Sequence, residues 1–284
     1  SSTSGNIAIY AQDVGDGTGV NLSNVQVQTG GDVTVSPTGP GVGNLTTPVI
    51  YGANNVVIGG ANMYGGLTNN SPITATGFVL FEAGGLYGGA ATAHGGSIFS
   101  NSAITTYDQP ISLLAGSAVP LTPGGNVYST GTGGVSVGAN LTSNGGDITI
   151  ENGSTGGNLN SLGNPGGGGV NNAIVDASTP VLGGNGGNIV MAGTAMLIPD
   201  GNYYLYVTRA LVIGNSTIKT NGLGSITMNG VSGTDPAYGQ GGLAMGNSII
   251  STTNGAITLT GTAQATSMGG IGGQAFQFDN TTIS

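Results

Sequence analysis

The chain has 284 residues, 59 of them glycine, with neither cysteine nor tryptophan and a formal charge of −9. Its cations are Arg209 and Lys219 against 11 acids, too little positive charge to track a nucleic-acid backbone or an anionic membrane surface. Short runs rich in Val, Ile and Thr argue against disorder, no Gly-X-Y period supports collagen, and no apolar run is long enough for a transmembrane helix.

The first element along the chain is Ile7-Ala8-Ile9, an apolar-x-apolar triplet. In a strand, side chains alternate between faces, so the two aliphatics turn inward and the middle residue outward. The triplet returns as Val33-Thr34-Val35, Val56-Val57-Ile58, Val79-Leu80-Phe81 and Ile111-Ser112-Leu113. It continues as Ile148-Thr149-Ile150, Ile189-Val190-Met191, Ile226-Thr227-Met228 and Ile257-Thr258-Leu259. Several copies follow Gly-Gly-Asp or Gly-Gly-Asn, as at Gly30-Gly31-Asp32, Gly145-Gly146-Asp147 and Gly186-Gly187-Asn188. The glycine is expected to supply the positive φ of a tight corner, which Asp or Asn also tolerates.

These anchors lie between 23 and 41 residues apart, the range of solenoid repeats. The unit reads as a short strand, a glycine-containing turn and a second short strand. Variable spacing means a constant coil carrying loops of different length, the longest at 153–172 and 120–134. The expectation is an all-β chain, one β-solenoid domain over residues 1–284, with roughly nine to ten coils, variable loops and no caps. At about 4.8 Å per coil such a rod is near 45 Å long. Met196 to Gly214, the most aromatic stretch, is expected to form a hairpin or extra coil packed on the rod.

The end of the chain, Asn280-Thr281-Thr282-Ile283-Ser284, repeats the openings Asn215-Ser216-Thr217-Ile218 and Asn247-Ser248-Ile249-Ile250. Each of those openings leads into a triplet, and Ser284 leads, end to start, into Ser1-Ser2-Thr3 and then Ile7 and Ile9. A coil split between the two ends implies that successive copies meet there, with Ile283 entering the aliphatic column beside Ile7 and Ile9. The contact residues are then Ser1, Ser2, Thr3, Ile7, Ile9, Asn280, Thr281, Thr282, Ile283 and Ser284. The expected partner is another copy, head to tail, in an extracellular filament.

The Gly-Gly-[Asp/Asn]-[Ile/Val]-x-[Ile/Val/Met] phrase after a strand ending in Thr or Ser resembles the filamentous haemagglutinin-type adhesins. The resemblance implies a right-handed parallel β-helix, export by two-partner secretion and a place at the cell surface. It also supplies the alternative function, a rod or stalk block of a large secreted adhesin that binds glycans or surfaces.

Catalytic signals are sparse. His94 is the single histidine, in Ala-His-Gly-Gly without a nucleophile motif. Asp147 and Glu151 flank one strand, but neighbouring coils carry no matching acids for glycoside chemistry. The chain is therefore expected not to be an enzyme and to carry no cofactor. The weak metal candidate is Asp13-Val14-Gly15-Asp16-Gly17, whose oxygens suit Ca²⁺ and which an Asp-Gly turn explains equally well. The outward column Thr34, Ser112, Thr149, Thr227 and Thr258 is an ice-binding pattern only if unbroken, and Ala8 and Val190 break it. Threonine there is ordinary strand preference.

Overall fold

The computed structural model describes residues 4–12, 19–38, 44–60, 63, 66–83, 96–115, 134–152, 169–195, 209–232, 241–263 and 274–284. These form 27 strands in three parallel sheets of nine, and no helix is found among them. The first sheet stacks Ile7–Gln12, Val33–Thr38, Val56–Gly60, Val79–Ala83, Ile111–Ala115, Ile148–Asn152, Ile189–Ala195, Ile226–Ser232 and Ile257–Thr262. All nine sequence anchors open these strands, and they pair in one unbroken register from Ile7 to Ile257. The chain is a parallel β-solenoid of nine coils, numbered here from the strand that opens each.

Among the described residues each coil has three strands, one more than the sequence unit predicted. The second sheet, which lacks the triplet, begins with Val20–Asn21 and Leu45–Thr46 and ends with Gly241–Gly246 and Phe276–Asp279. The third runs from Gln26–Gln28 to Ile249–Ser251 and Thr282–Ile283. Its inward column is aliphatic throughout: Val27, Ile50, Ile73, Ile104, Leu141, Val175, Ile218, Ile250 and Ile283. Arg209–Gly214 is the regular second-sheet strand of coil 7 and no extra coil, while 196–208 lie outside the described residues.

Three corners join the sheets. Between second and third sheet the chain turns tightly, and in coils 6 to 9 the turn rests on Asn172, Asn215, Asn247 and Asn280, with φ of 53°, 47°, 48° and 46°. Asparagine tolerates this left-handed geometry better than other residues with a side chain. Between first and second sheet lies most of the length variation, from residues 61–65 in coil 3 to 116–134 in coil 5.

The corner from third to first sheet corrects the expected role of glycine. Gly31, Gly146 and Gly187 stand outside the left-handed region; only Gly145, one residue earlier, has a positive φ, of 120°. They are glycine because coils stack closely there. A Cβ on Gly146 would lie 2.3 Å from the Gln109 carbonyl carbon, and one on Gly187 would lie 2.1 Å from the Gly146 oxygen. The next residue links the coils. The Asn188 N–H donates to Asp147 Oδ1 at 2.6 Å, and the Ser225 N–H donates to Asn188 Oδ1 at 3.1 Å. In the N-terminal coils the Asp32 N–H donates to Asn6 Oδ1 at 2.9 Å, and the Asn55 amide donates to Asp32 Oδ1 at 3.0 Å. The Gly-Gly-[Asp/Asn] phrase is therefore a coil-to-coil ladder.

Candidate functional site

The core columns run the length of the rod and end at two faces. At the C-terminal face, Phe276 continues the column of Leu243, Phe278 that of Met245, and Ile283 that of Ile250. One coil back these side chains are 1%, 2% and 0% exposed; at the face they are 41%, 48% and 45% exposed. The two phenyl rings lie 5.7 Å apart and tilted by 42°, a favourable aromatic arrangement. Beside them Ile257 and Leu259 are partly buried.

At the opposite face Ile7 and Ile9 of the first sheet, Val20 of the second and Leu22 just after its strand are also partly buried. Three strands at each face hydrogen-bond on one side only, because each closes its sheet. Such edges present rows of N–H and C=O groups able to pair with a further strand.

The predicted contact residues divide between these faces. Ile7 and Ile9 lie on the N-terminal face, in coil 1, and Asn280, Thr281, Thr282, Ile283 and Ser284 on the C-terminal one, in coil 9. Within one chain they do not meet. Ser1, Ser2 and Thr3 lie outside the described residues. Asn280–Ser284 is not a loose half-coil. Thr282 N–H donates to Ser248 O, Ser284 N–H donates to Ile250 O, and Thr252 N–H donates to Ser284 O, each at 2.9 Å. The Asn280 amide donates to Asn247 Oδ1, also at 2.9 Å. Ile283 belongs to the third-sheet column that starts at Val27, whereas Ile7 and Ile9 start first-sheet columns. Val27 and Ile283 are thus the two ends of one column. Phe276 and Phe278, equally prominent at this face, escaped the sequence reading because their strand belongs to the unrecognised sheet.

No protein-family model, curated protein or solved structure matches this chain.

Of the other candidates, His94, Asp13 and Asp16 lie outside the described residues. Asp147 accepts the ladder bonds from Asn188, and Glu151 points outward from the first-sheet strand of coil 6. Among the described residues no three His, Cys, Asp or Glu side chains group to hold a metal. Nor is any helix long and apolar enough to cross a membrane. Lys219 Nζ pairs with Asp176 Oδ2 of the preceding coil at 2.9 Å, with the lysine side chain 42% exposed, so the pair contributes little to stability.

Proposed function

We propose that this protein is an extracellular structural subunit whose solenoid stacks end to end into filaments. The observation that carries the reading is register: Phe276, Phe278 and Ile283 of coil 9, at the C-terminal face, stand in the same columns as Val20, Leu22 and Val27 of coil 1, so one coil can pair with the other as neighbouring coils pair inside the rod. A copy seated on that face aligns its Val20, Leu22 and Val27 with Phe276, Phe278 and Ile283, and its Ile7 and Ile9 with Ile257 and Leu259. Covering the exposed halves of the three largest side chains contributes about 1 kcal/mol each, and three parallel strand edges find partners. The contact joins two different faces, so it does not close and it propagates. A further block of the same polypeptide could make the same stack covalently.

Ile283→Asp tests the reading. In a single rod the carboxylate reaches water, because Ile283 is 45% exposed. Inside a junction it is buried against aliphatics without a partner, which costs several kcal/mol. Negative-stain microscopy of the wild type is expected to show thin filaments repeating about every 43 Å, nine coils at 4.8 Å. The variant is expected to give short rods with an unchanged β-sheet circular dichroism spectrum. Filaments of normal length from Ile283→Asp would sink the reading.

A second reading is favoured by one feature. The connections of most variable length all leave from the corner between first and second sheets, as in a stalk that presents one face to a glycan or surface. In that case the adhesin-type resemblance describes the role as well as the fold. Glycan-array binding by single Ile283→Asp rods would support it.

A further inference from the structure

Most of the exposed large apolar side chains are scattered, but two groups are not. One is the C-terminal face already described; the other lies on coils 6 to 8. The connection from coil 6 to coil 7 occupies residues 177–188 and is the longest described connection between third and first sheets. It is firmly held. The Thr179 N–H donates to Asn221 Oδ1 at 3.0 Å, and the Asn221 amide returns a bond to Thr179 O at 2.9 Å. Gly186 N–H donates to Asn221 O, and Leu223 N–H donates to Asn185 Oδ1, both at 3.0 Å. This rigid loop lifts Leu182 entirely into solvent, at 102% exposure, with Val181 beside it in sequence and Leu223 on the next corner. On the same three coils the outward face of the third sheet carries exposed Ile174 and Ile249 in one column.

We infer that this side of coils 6 to 8 is a lateral contact at which two copies of the chain meet side by side, an inference that rests on the filament reading. Charge and area select the occupant. The chain carries −9 overall, yet the charged groups on these third-sheet strands, Asp176 and Lys219, neutralise one another. A second acidic copy can therefore approach here without repulsion. Three coils stand about 14 Å tall and the strand with its corner about 20 Å across, so two copies bury roughly 600 Å². A stable pair needs about 1,200 Å² or more. One contact holds two rods only at about millimolar concentration, whereas a filament repeats it every nine coils and multiplies it. The patch meets its own copy about a two-fold axis, which places Leu182 near Leu182 of the second chain.

The absence of cysteine makes single-cysteine variants of the full chain clean probes. Leu182→Cys filaments treated with a short bis-maleimide are expected to give at least tenfold more linked dimer than Thr258→Cys filaments, whose label sits on the first-sheet face. Filaments of the double variant Leu182→Asp/Leu223→Asp are expected to be single where wild-type filaments lie in pairs or bundles. Linkage at the control level, or unchanged bundling of the double variant, overturns the lateral contact while leaving end-to-end stacking intact. If the wild type forms no filaments, the stacking reading fails, and the same linkage is measured on rods at about 1 mM. Dimer above the control there upholds the lateral contact, and none overturns it.

Discussion

Coils 2 to 4 and coils 6 to 9 satisfy the same corner in different ways. At the inward position that ends the second-sheet strand, the early coils carry Thr47, Asn69 and Ser100, all fully buried. The later coils carry Val170, Ile213, Met245 and Phe278 in the same column, reached through Val137 of coil 5. In the early coils polar groups inside the core serve the turn. The Asn69 amide donates to Ser102 O at 2.9 Å, its Oδ1 accepts the Thr47 hydroxyl at 2.9 Å, and the Ser71 N–H approaches the same oxygen at 3.4 Å. In the later coils the turn serves itself. The left-handed asparagine is followed by Ser216 or Ser248, whose hydroxyls donate to Gly214 O at 2.6 Å and Gly246 O at 2.8 Å. Ser216 Oγ also accepts the Ala173 N–H, and Ser248 Oγ the Ser216 N–H, at 3.3 Å each. Once the corner needs nothing from inside, the column is free to become aliphatic.

The sharpest way to break this contrast is to move the polar solution into the apolar half. In Val170→Asn the new amide finds no spare partner, since the Asn172 N–H already bonds Gly214 O and the Ala173 N–H bonds Ser216 Oγ. A buried amide without partners costs about 3 kcal/mol or more. Urea unfolding followed by circular dichroism is expected to show that loss, and a cost under about 1 kcal/mol would mean that the later corners are less self-sufficient than drawn. The reverse change, Asn69→Leu, keeps the branched shape. It strands the Thr47 hydroxyl and the Ser71 N–H and leaves the Ser102 carbonyl with the Ser100 hydroxyl alone, for an expected loss of about 2 kcal/mol. Hydrogen exchange should place that loss in coils 2 to 4, because solenoid coils are stabilised by their neighbours.

The same contrast governs what was legible in sequence. The first sheet could be read because its nine triplets keep two apolar residues two positions apart whatever loop follows. The third sheet was half legible: Asn215-Ser216, Asn247-Ser248 and Asn280-Thr281 repeat because the left-handed corner demands them, while Asn70-Ser71 and Asn101-Ser102 of the early coils turn the corner without a left-handed asparagine. The second sheet was hidden. Its strands are as short as Leu45–Thr46, they follow the connections of most variable length, and Thr47, Asn69 and Ser100 interrupt its apolar column. Of the site, Ile283 was legible as a column residue, but its alignment with Val27 rather than Ile7 required the third sheet to be known. Glycine before the anchors was noticed for the wrong reason, since clearance between stacked coils leaves no mark in a single coil's sequence.

The smallest effect is the most discriminating. If Asn69 acts by completing a ladder, its removal leaves donors behind, and removing one of those donors should return part of the loss. Thr47→Val deletes the hydroxyl while the Thr47 N–H keeps its bond to Thr68 O. Thr47→Val/Asn69→Leu is therefore expected to be about 1 kcal/mol more stable than Asn69→Leu alone, although it carries one more substitution. The Ser71 N–H stays stranded, so recovery remains incomplete. Additive losses in the cycle would mean that Asn69 matters through the space it fills. The polar and apolar halves of the rod would then differ in composition only, not in how they close the corner.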